Sequence, residues 1–285
     1  MQFKKEYNNL PKTEKDRIIK QYKIEVRYAA ILKRTPNPAR ARLYKKLYDD
    51  FYRRLPENPL KIRAKKKGYI KNKTQRQTKL LLPFLTKSTN VIEIGSGDFS
   101  LTIGLSTYVN YIMGVDVSDE NISKNQIIPD NVEIFIAKHS TSMPNKKNVF
   151  HLAYSNQLLE HFHPKDLKIH LSNIYSLLRI TGKYVFQTPH KYFGPHDVTK
   201  YFHDRPRGFH LKEYNNFELF LILNKAGFRK VKLLTGLKGY RIHLPIQFSI
   251  IIELFLLLFP YQIRKDLSLL TPFRKFINGH IIATK

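Results

Sequence analysis

The 285-residue sequence contains no cysteine. That excludes a disulfide framework, a thiolate zinc site and a cysteine nucleophile, and it suits a reducing compartment. Acidic residues are scarce: 22 Asp plus Glu stand against 50 Lys plus Arg, for a formal net charge of +28. Such a chain is expected to seek an anionic surface, whether nucleic acid, acidic lipid or an acidic ligand. Long apolar runs are missing as well. The amino terminus, Met1-Gln2-Phe3-Lys4-Lys5-Glu6, has no apolar segment of the kind that marks a secretory signal. No stretch reaches the roughly 18–20 uncharged apolar residues of a membrane span. The expected location is cytoplasmic, with peripheral attachment at the inner membrane face where a membrane is involved. No internal repeat is evident.

What is present is enough for a folded domain. Hydrophobic residues make up 42% and aromatics 13%, which excludes a wholly disordered chain, and a chain of this length buries roughly three quarters of its unfolded surface. The charge is uneven. Residues 1–90 carry 26 Lys/Arg against 7 Asp/Glu, and the remainder 24 against 15. Residues 1–75 therefore read as a basic extension. Ile19, Tyr22, Val26 and Ala29 recur at helical spacing, Pro36 and Pro38 interrupt, and a second helix passes through Leu43, Leu47 and Phe51. Lys61 to Lys73 reads as a basic linker, followed by a helix from Leu80 to Leu85. The basic faces suit phosphates or, equally, a solvated helical cap.

From Asn90 the pattern changes. Short apolar runs at Val91–Ile94, Tyr111–Val117, Val132–Ala137, Val149–Tyr154, Tyr184–Gln187 and Val231–Leu234 alternate with helices, one from Pro164 with Leu167, Leu171, Ile174 and Leu178 on one face and one from about Phe217 to Gly227. Strand and helix in alternation predict a parallel sheet covered on both faces. The first run leads into Glu93-Ile94-Gly95-Ser96-Gly97-Asp98-Phe99-Ser100. A glycine turn between a strand and a helix lets backbone approach a ligand closely. Asp116 lies near the end of the second run, 21 residues beyond Gly95. A carboxylate at the tip of the neighbouring strand can accept hydrogen bonds from two ribose hydroxyls.

The order Glu93-x-Gly95-x-Gly97, with Asp116 at this distance, resembles motif I of the class I S-adenosylmethionine-dependent methyltransferases. Ser155-Asn156-Gln157-Leu158-Leu159-Glu160-His161-Phe162 resembles that superfamily's fourth-strand motif, and Leu177 to Lys183 its turn into the fifth strand. The resemblance covers about residues 80–235. It implies an α/β, Rossmann-like doubly wound seven-stranded sheet, here with a helical basic N-terminal extension on a methyltransferase domain of residues 76–285. It also implies S-adenosyl-L-methionine as cofactor, held by Glu93, Gly95, Ser96, Gly97, Asp116, Val117 and Asn156. The acid that commonly follows the third strand is absent, and His139 or Ser140 takes its place. The third glycine is replaced by Phe99.

All 11 histidines lie at or beyond position 139. His190, His196, His203 and His210 fall in one loop insertion, residues 190–212, after the fifth strand. Gly194-Pro195-His196-Asp197 with Tyr201-Phe202 resembles methyltransferases of bacterial surface-polysaccharide clusters. Transfer to a hydroxyl needs a base for the leaving proton, and His196 with Asp197, or His161 with Glu160, supplies the residue types. A divalent ion held by His and Asp is a second reading, since some sugar methyltransferases use one. The spacing fits no fixed zinc pattern, however, and no residue is assigned as a metal ligand.

Residues 244–277 read as an apolar helical insertion. Its core, Leu244 to Phe259, contains Glu253 and is flanked by Arg241, Arg264, Lys265, Arg274 and Lys275. An interfacial helix on anionic lipid, a buried helix and a dimer contact all fit. Gly279 to Lys285 reads as a last, antiparallel strand, the seventh. The expected activity is O-methylation of a surface glycan or lipid-linked sugar. The rivals are an RNA methyltransferase that grips phosphates with its basic extension, the less expected partner class, and a non-enzymatic binding protein on the same fold.

Overall fold

The computed structural model describes residues 2–119, 122, 127–237 and 240–285. In chain order the elements are α1 (Lys12–Arg34), α2 (Ala39–Arg54), α3 (Pro59–Ala64), α4 (Tyr69–Leu81), β1 (Asn90–Ile94), α5 (Ser100–Leu105), β2 (Tyr111–Asp116), β3 (Val132–Ile136), β4 (Phe150–Asn156), α6 (Pro164–Leu177), β5 (Leu178–Gln187), α7 (Asn216–Lys225), β6 (Lys230–Leu237), β7 (Tyr240–Pro245), α8 (Ile246–Leu257), α9 (Tyr261–Leu269), α10 (Thr271–Phe276) and β8 (His280–Thr284). The strands run in the order β3-β2-β1-β4-β5-β8-β6-β7. The chain divides into two compact units. One holds Met1–Thr35, Asn156–Tyr175 and Tyr184–Lys285, the other Pro36–Ser155 and Ser176–Lys183.

In the second of these units β1 lies between β2 and β4, and all three run parallel. Val91, Ile92, Ile94, Ile112, Met113, Val115, Leu152, Ala153 and Tyr154 are buried, the near-continuous apolar character of strands covered on both faces. Strand order reverses at β1, which places the strand ends after Ile94 and Asp116 where open α/β sheets take their ligands.

In the other unit β6 pairs antiparallel with both β7 and β8. Leu167, Leu171 and Ile174 of α6 are buried, as the helical spacing requires; Leu178, expected on the same face, instead opens β5. The capping box at Asn215 starts α7: its side chain accepts from the Glu218 amide, and Glu218 returns the contact to the Asn215 amide. Gly227, at φ +105°, follows the helix in the left-handed region that L side chains rarely adopt.

Four expectations are corrected. The sheet has eight strands among the described residues, because Arg241-Ile242-His243-Leu244 alternates with period two and forms β7 beside β6; the terminal strand β8 is antiparallel as expected but eighth. The stretch Lys61 to Lys73 is largely helical, in α3 and the start of α4, since Lys, Arg and Gln are good helix formers and α4 buries Thr78 and Leu81. Strand β5 begins at Leu178, six residues before Tyr184. Helix α1 forms, but its buried side is Ile18, Gln21, Glu25, Tyr28, Ala29 and Leu32. Two polar residues belong to that face, so counting apolar residues alone displaces it.

Candidate functional site

The turn after β1 is built by backbone. Gly95 and Gly97 have φ of +74° and +63°, and the amides of Gly95 and Ser96 both donate to the Val115 carbonyl at the end of β2, at 2.8 and 3.1 Å. The Gly97 amide donates to Asp116 Oδ2 at 2.8 Å, and the Ser118 amide to Oδ1 at 3.1 Å. Burial raises the Asp116 carboxyl above its ordinary value, while the amides of Gly97, Ser118 and Val117 and the Lys45 ammonium hold it down. A side chain added at Gly97 would meet nothing within 4 Å. Open space thus faces the turn beside a carboxylate, the pairing that a ribose diol requires.

Phe99 stands where a third glycine is usual. Its backbone is left-handed, at φ 56°, and its ring is fully buried over Gly114. A Cβ at Gly114 would come within 2.6 Å of that ring. The lone glycine inside β2 is the sequence counterpart of this substitution. Glu93 points into the core beneath the turn, with its Oε2 accepting from Thr102 Oγ1. Burial pushes its carboxyl up to about 7, opposed by the Thr102 hydrogen bond and the Lys73 charge.

After β3, His139 Nδ1 pairs with Thr141 Oγ1 at 3.2 Å, and the Ser140 amide donates to the Ala41 carbonyl. The Ser140 hydroxyl oxygen is buried and has no hydrogen-bond partner among the described residues. An orphaned hydroxyl, an open glycine turn and a ribose-type acid together fit an adenosine-bearing cofactor. Asn156 is the last residue of β4, one past the Ile94–Ser155 pairing with β1.

The histidine residues of the other unit form a second group. His161 Nδ1 lies 3.0 Å from the Phe209 carbonyl, and its Nε2 lies 4.0 Å from Glu160 Oε1. The His161 and His210 rings stand edge to face at 5.0 Å. His210 Nδ1 contacts Glu213 Oε1 at 2.7 Å, and the His196 amide donates to that same oxygen at 2.7 Å. His196 Nδ1 is 3.4 Å from Glu213 Oε2. Although burial alone would lower His210, Glu213 and the neighbouring carboxylates raise it to about 9. Burial pushes Glu213 the other way, but His196 and His210 bring it down to about 2. Asp197, expected beside His196, is engaged elsewhere: it caps the turn at Thr199 and accepts the Gly208 amide at 2.9 Å. The pairing of neighbours His196 and Asp197 is thus replaced by His196 with Glu213. Spacing of three between His210 and Glu213 was the available signal. One ligand atom each from Glu160, His161 and His210 lie within 4.8 Å of one another, among the described residues.

His196 also lines a cleft of about 310 Å³, together with Lys4, Lys200, Lys265, Tyr7 and Gly194. Lys200 and Lys265 bring ammonium groups to this cleft beside the carboxylate of Glu6, while Lys4 is paired with Asp204 at 2.7 Å.

Comparison with solved structures returns methyltransferases. An O-methyltransferase assignment from Nostoc punctiforme aligns at 14% identity and TM-score 0.53, covering 94% of this chain and 69% of that one. S-adenosylmethionine-dependent methyltransferases from Mesorhizobium loti and Archaeoglobus fulgidus align at 15% and 16% identity, with TM-scores of 0.49 and 0.48. They cover 76% and 84% of this chain and 100% and 99% of their own. At these identities the likeness is one of fold. No curated protein sequence matches. Residues 64–233, more than half of the chain, match the family described as methyltransferase domain; the protein belongs to that family.

Proposed function

We propose that this enzyme O-methylates a hydroxyl of a surface glycan or a lipid-linked sugar, working at the cytoplasmic face of the membrane. The observation that carries the reading is the lysine-lined cleft containing His196. A lipid-linked sugar bears phosphate, which Lys200 and Lys265 complement, and its hydroxyls need a base. When bound, S-adenosyl-L-methionine supplies a methyl group already activated on sulfonium, so positioning and proton removal are what remain. Glu93, Gly95, Ser96, Gly97, Asp116, Val117, His139, Ser140 and Asn156 would hold it. His196 would take up the proton that the acceptor hydroxyl loses, with Glu213 orienting the imidazole through Nδ1. Asp197 shapes the loop, and His161 is the second candidate base.

Helix α8 supports the membrane half of the reading. Glu253 is fully buried, where its carboxylate accepts the amides of Asn216 and Phe217 and meets His190. The outer side shows Phe248, Ile251, Leu254, Phe255 and Leu258, with Leu258 78% exposed. An apolar outward stripe of this extent marks an interaction surface, and the basic residues near α8 to α10 match anionic lipid. No helix among the described residues is long and apolar enough to cross a membrane.

Flotation with vesicles rich in anionic lipid, run beside RNA retention, tests the partner. Binding to vesicles that is lost in Ile251→Asp/Leu258→Asp is expected; salt-sensitive RNA binding with no flotation overturns the membrane reading. Mass spectrometry of cellular glycans with and without the protein then tests the acceptor.

A further inference from the structure

We propose that Glu160, His161 and His210 form a binding site for a divalent transition-metal ion of the zinc or cobalt type. The first observation is an imbalance. Glu160 is completely buried, Thr188 Oγ1 donates to its Oε2 at 2.9 Å, and its Oε1 has no hydrogen-bond partner among the described residues. A buried carboxylate oxygen left without a donor is costly, and a cation is a chemical answer to it. The second observation is how the two imidazoles are held. His161 presents Nδ1 to the Phe209 carbonyl, which fixes the tautomer with its lone pair at Nε2, on the side of Glu160. His210 presents Nδ1 to Glu213, which leaves Nε2 as its ligand atom; the surrounding carboxylates favour its protonated form, so a metal bound there displaces the Nε2 proton. A metal-ligating histidine characteristically donates its other ring N–H to a carbonyl or a carboxylate; here one of each is in place. Thr188 performs the same service for Glu160.

Two imidazoles and one carboxylate are ligands for zinc and its borderline neighbours, whereas magnesium and calcium prefer oxygen. The ligand atoms, within 4.8 Å of one another, close by roughly an ångström to reach bonds of about 2.0–2.2 Å. Three protein ligands leave coordination positions open, as in sites that bind water or a substrate oxygen rather than serving structure alone. The inference does not depend on the identity of the methyl acceptor.

The test uses the full chain, stripped with a chelator and titrated with Co²⁺, read by visible ligand-field absorption and by calorimetry. One equivalent with tetrahedral or five-coordinate bands is expected, displaced by Zn²⁺. Glu160→Gln and His210→Gln should each weaken binding about 100-fold, and His243→Ala, on exposed β7, should not change it. Circular dichroism confirms folding; should Glu160→Gln fail to fold, His161→Gln takes its place. No bound equivalent, or binding unaltered in these variants, overturns the site. Methyl transfer that persists in the stripped protein leaves the proposed acceptor chemistry standing and is read separately from the titration.

Discussion

Glu213 Oε1 lies 2.7 Å from His210 Nδ1 and takes the backbone amide of His196 at the same distance. One carboxylate thus ties together the two ends of the histidine loop. Glu213→Gln keeps the shape but removes the charge. Its expected signature is a fall in kcat of about tenfold or more with cofactor affinity unchanged, measured by radiolabelled methyl transfer beside calorimetry with S-adenosylhomocysteine. Equal loss in both would mean that Glu213 merely holds the fold.

His196→Ala is expected to lower turnover about 100-fold while leaving cofactor affinity intact, the behaviour of a general base. Retention of full activity would move that role to His161, and His161→Ala would then carry the loss.

Asp116→Ala removes the acceptor of the Gly97 and Ser118 amides as well as the ribose carboxylate. Cofactor affinity should drop about 10- to 100-fold, the worth of charged hydrogen bonds, with the thermal transition still cooperative. An unchanged dissociation constant would remove Asp116 from the cofactor site.

Gly95, Gly97 and Asp116 can be picked out from spacing along two strands, because a glycine turn and a nearby acid are local patterns, and Glu93 joins them only through the resemblance. The histidine loop was legible only as composition. His196 to Glu213 spans 17 residues and His190 to Glu253 spans 63, and no periodicity links such pairs. Polar residues that face inward also misled: Gln21 and Glu25 displaced the expected face of α1. In the fold Glu253 anchors the inner side of α8 beside Ile246, Ile250 and Leu256, while Phe248, Ile251, Leu254 and Phe255 face outward.

That anchorage predicts a stability effect. Glu253 accepts the first amides of α7 and contacts His190 at 2.7 Å, all in the interior. Glu253→Leu leaves these donors unsatisfied and should destabilise by about 3 kcal/mol or more, seen as a lower urea midpoint. Glu253→Gln, which keeps an acceptor oxygen, should lose less. If Leu were tolerated without a shift, the inner side of α8 would not be anchored through this carboxylate.

Glu93 gives the pH dependence. Its ordinary value near 4.5 is pushed up to about 7, by burial first. The folded state therefore holds its proton more tightly than the unfolded chain, and proton binding favours the fold only while the pH is low. Stability supplied by this group is full below about 4.5, declines as pH rises towards 7, and is gone above it, a difference on the order of 3 kcal/mol. Glu93→Gln keeps an acceptor for Thr102 and has no proton to lose. Urea denaturation of the cofactor-free protein between pH 5 and pH 8, buffers set at roughly unit intervals, should show the wild type losing stability relative to this variant. Parallel curves would mean that Glu93 is ionised throughout, with Lys73 compensating the charge in place.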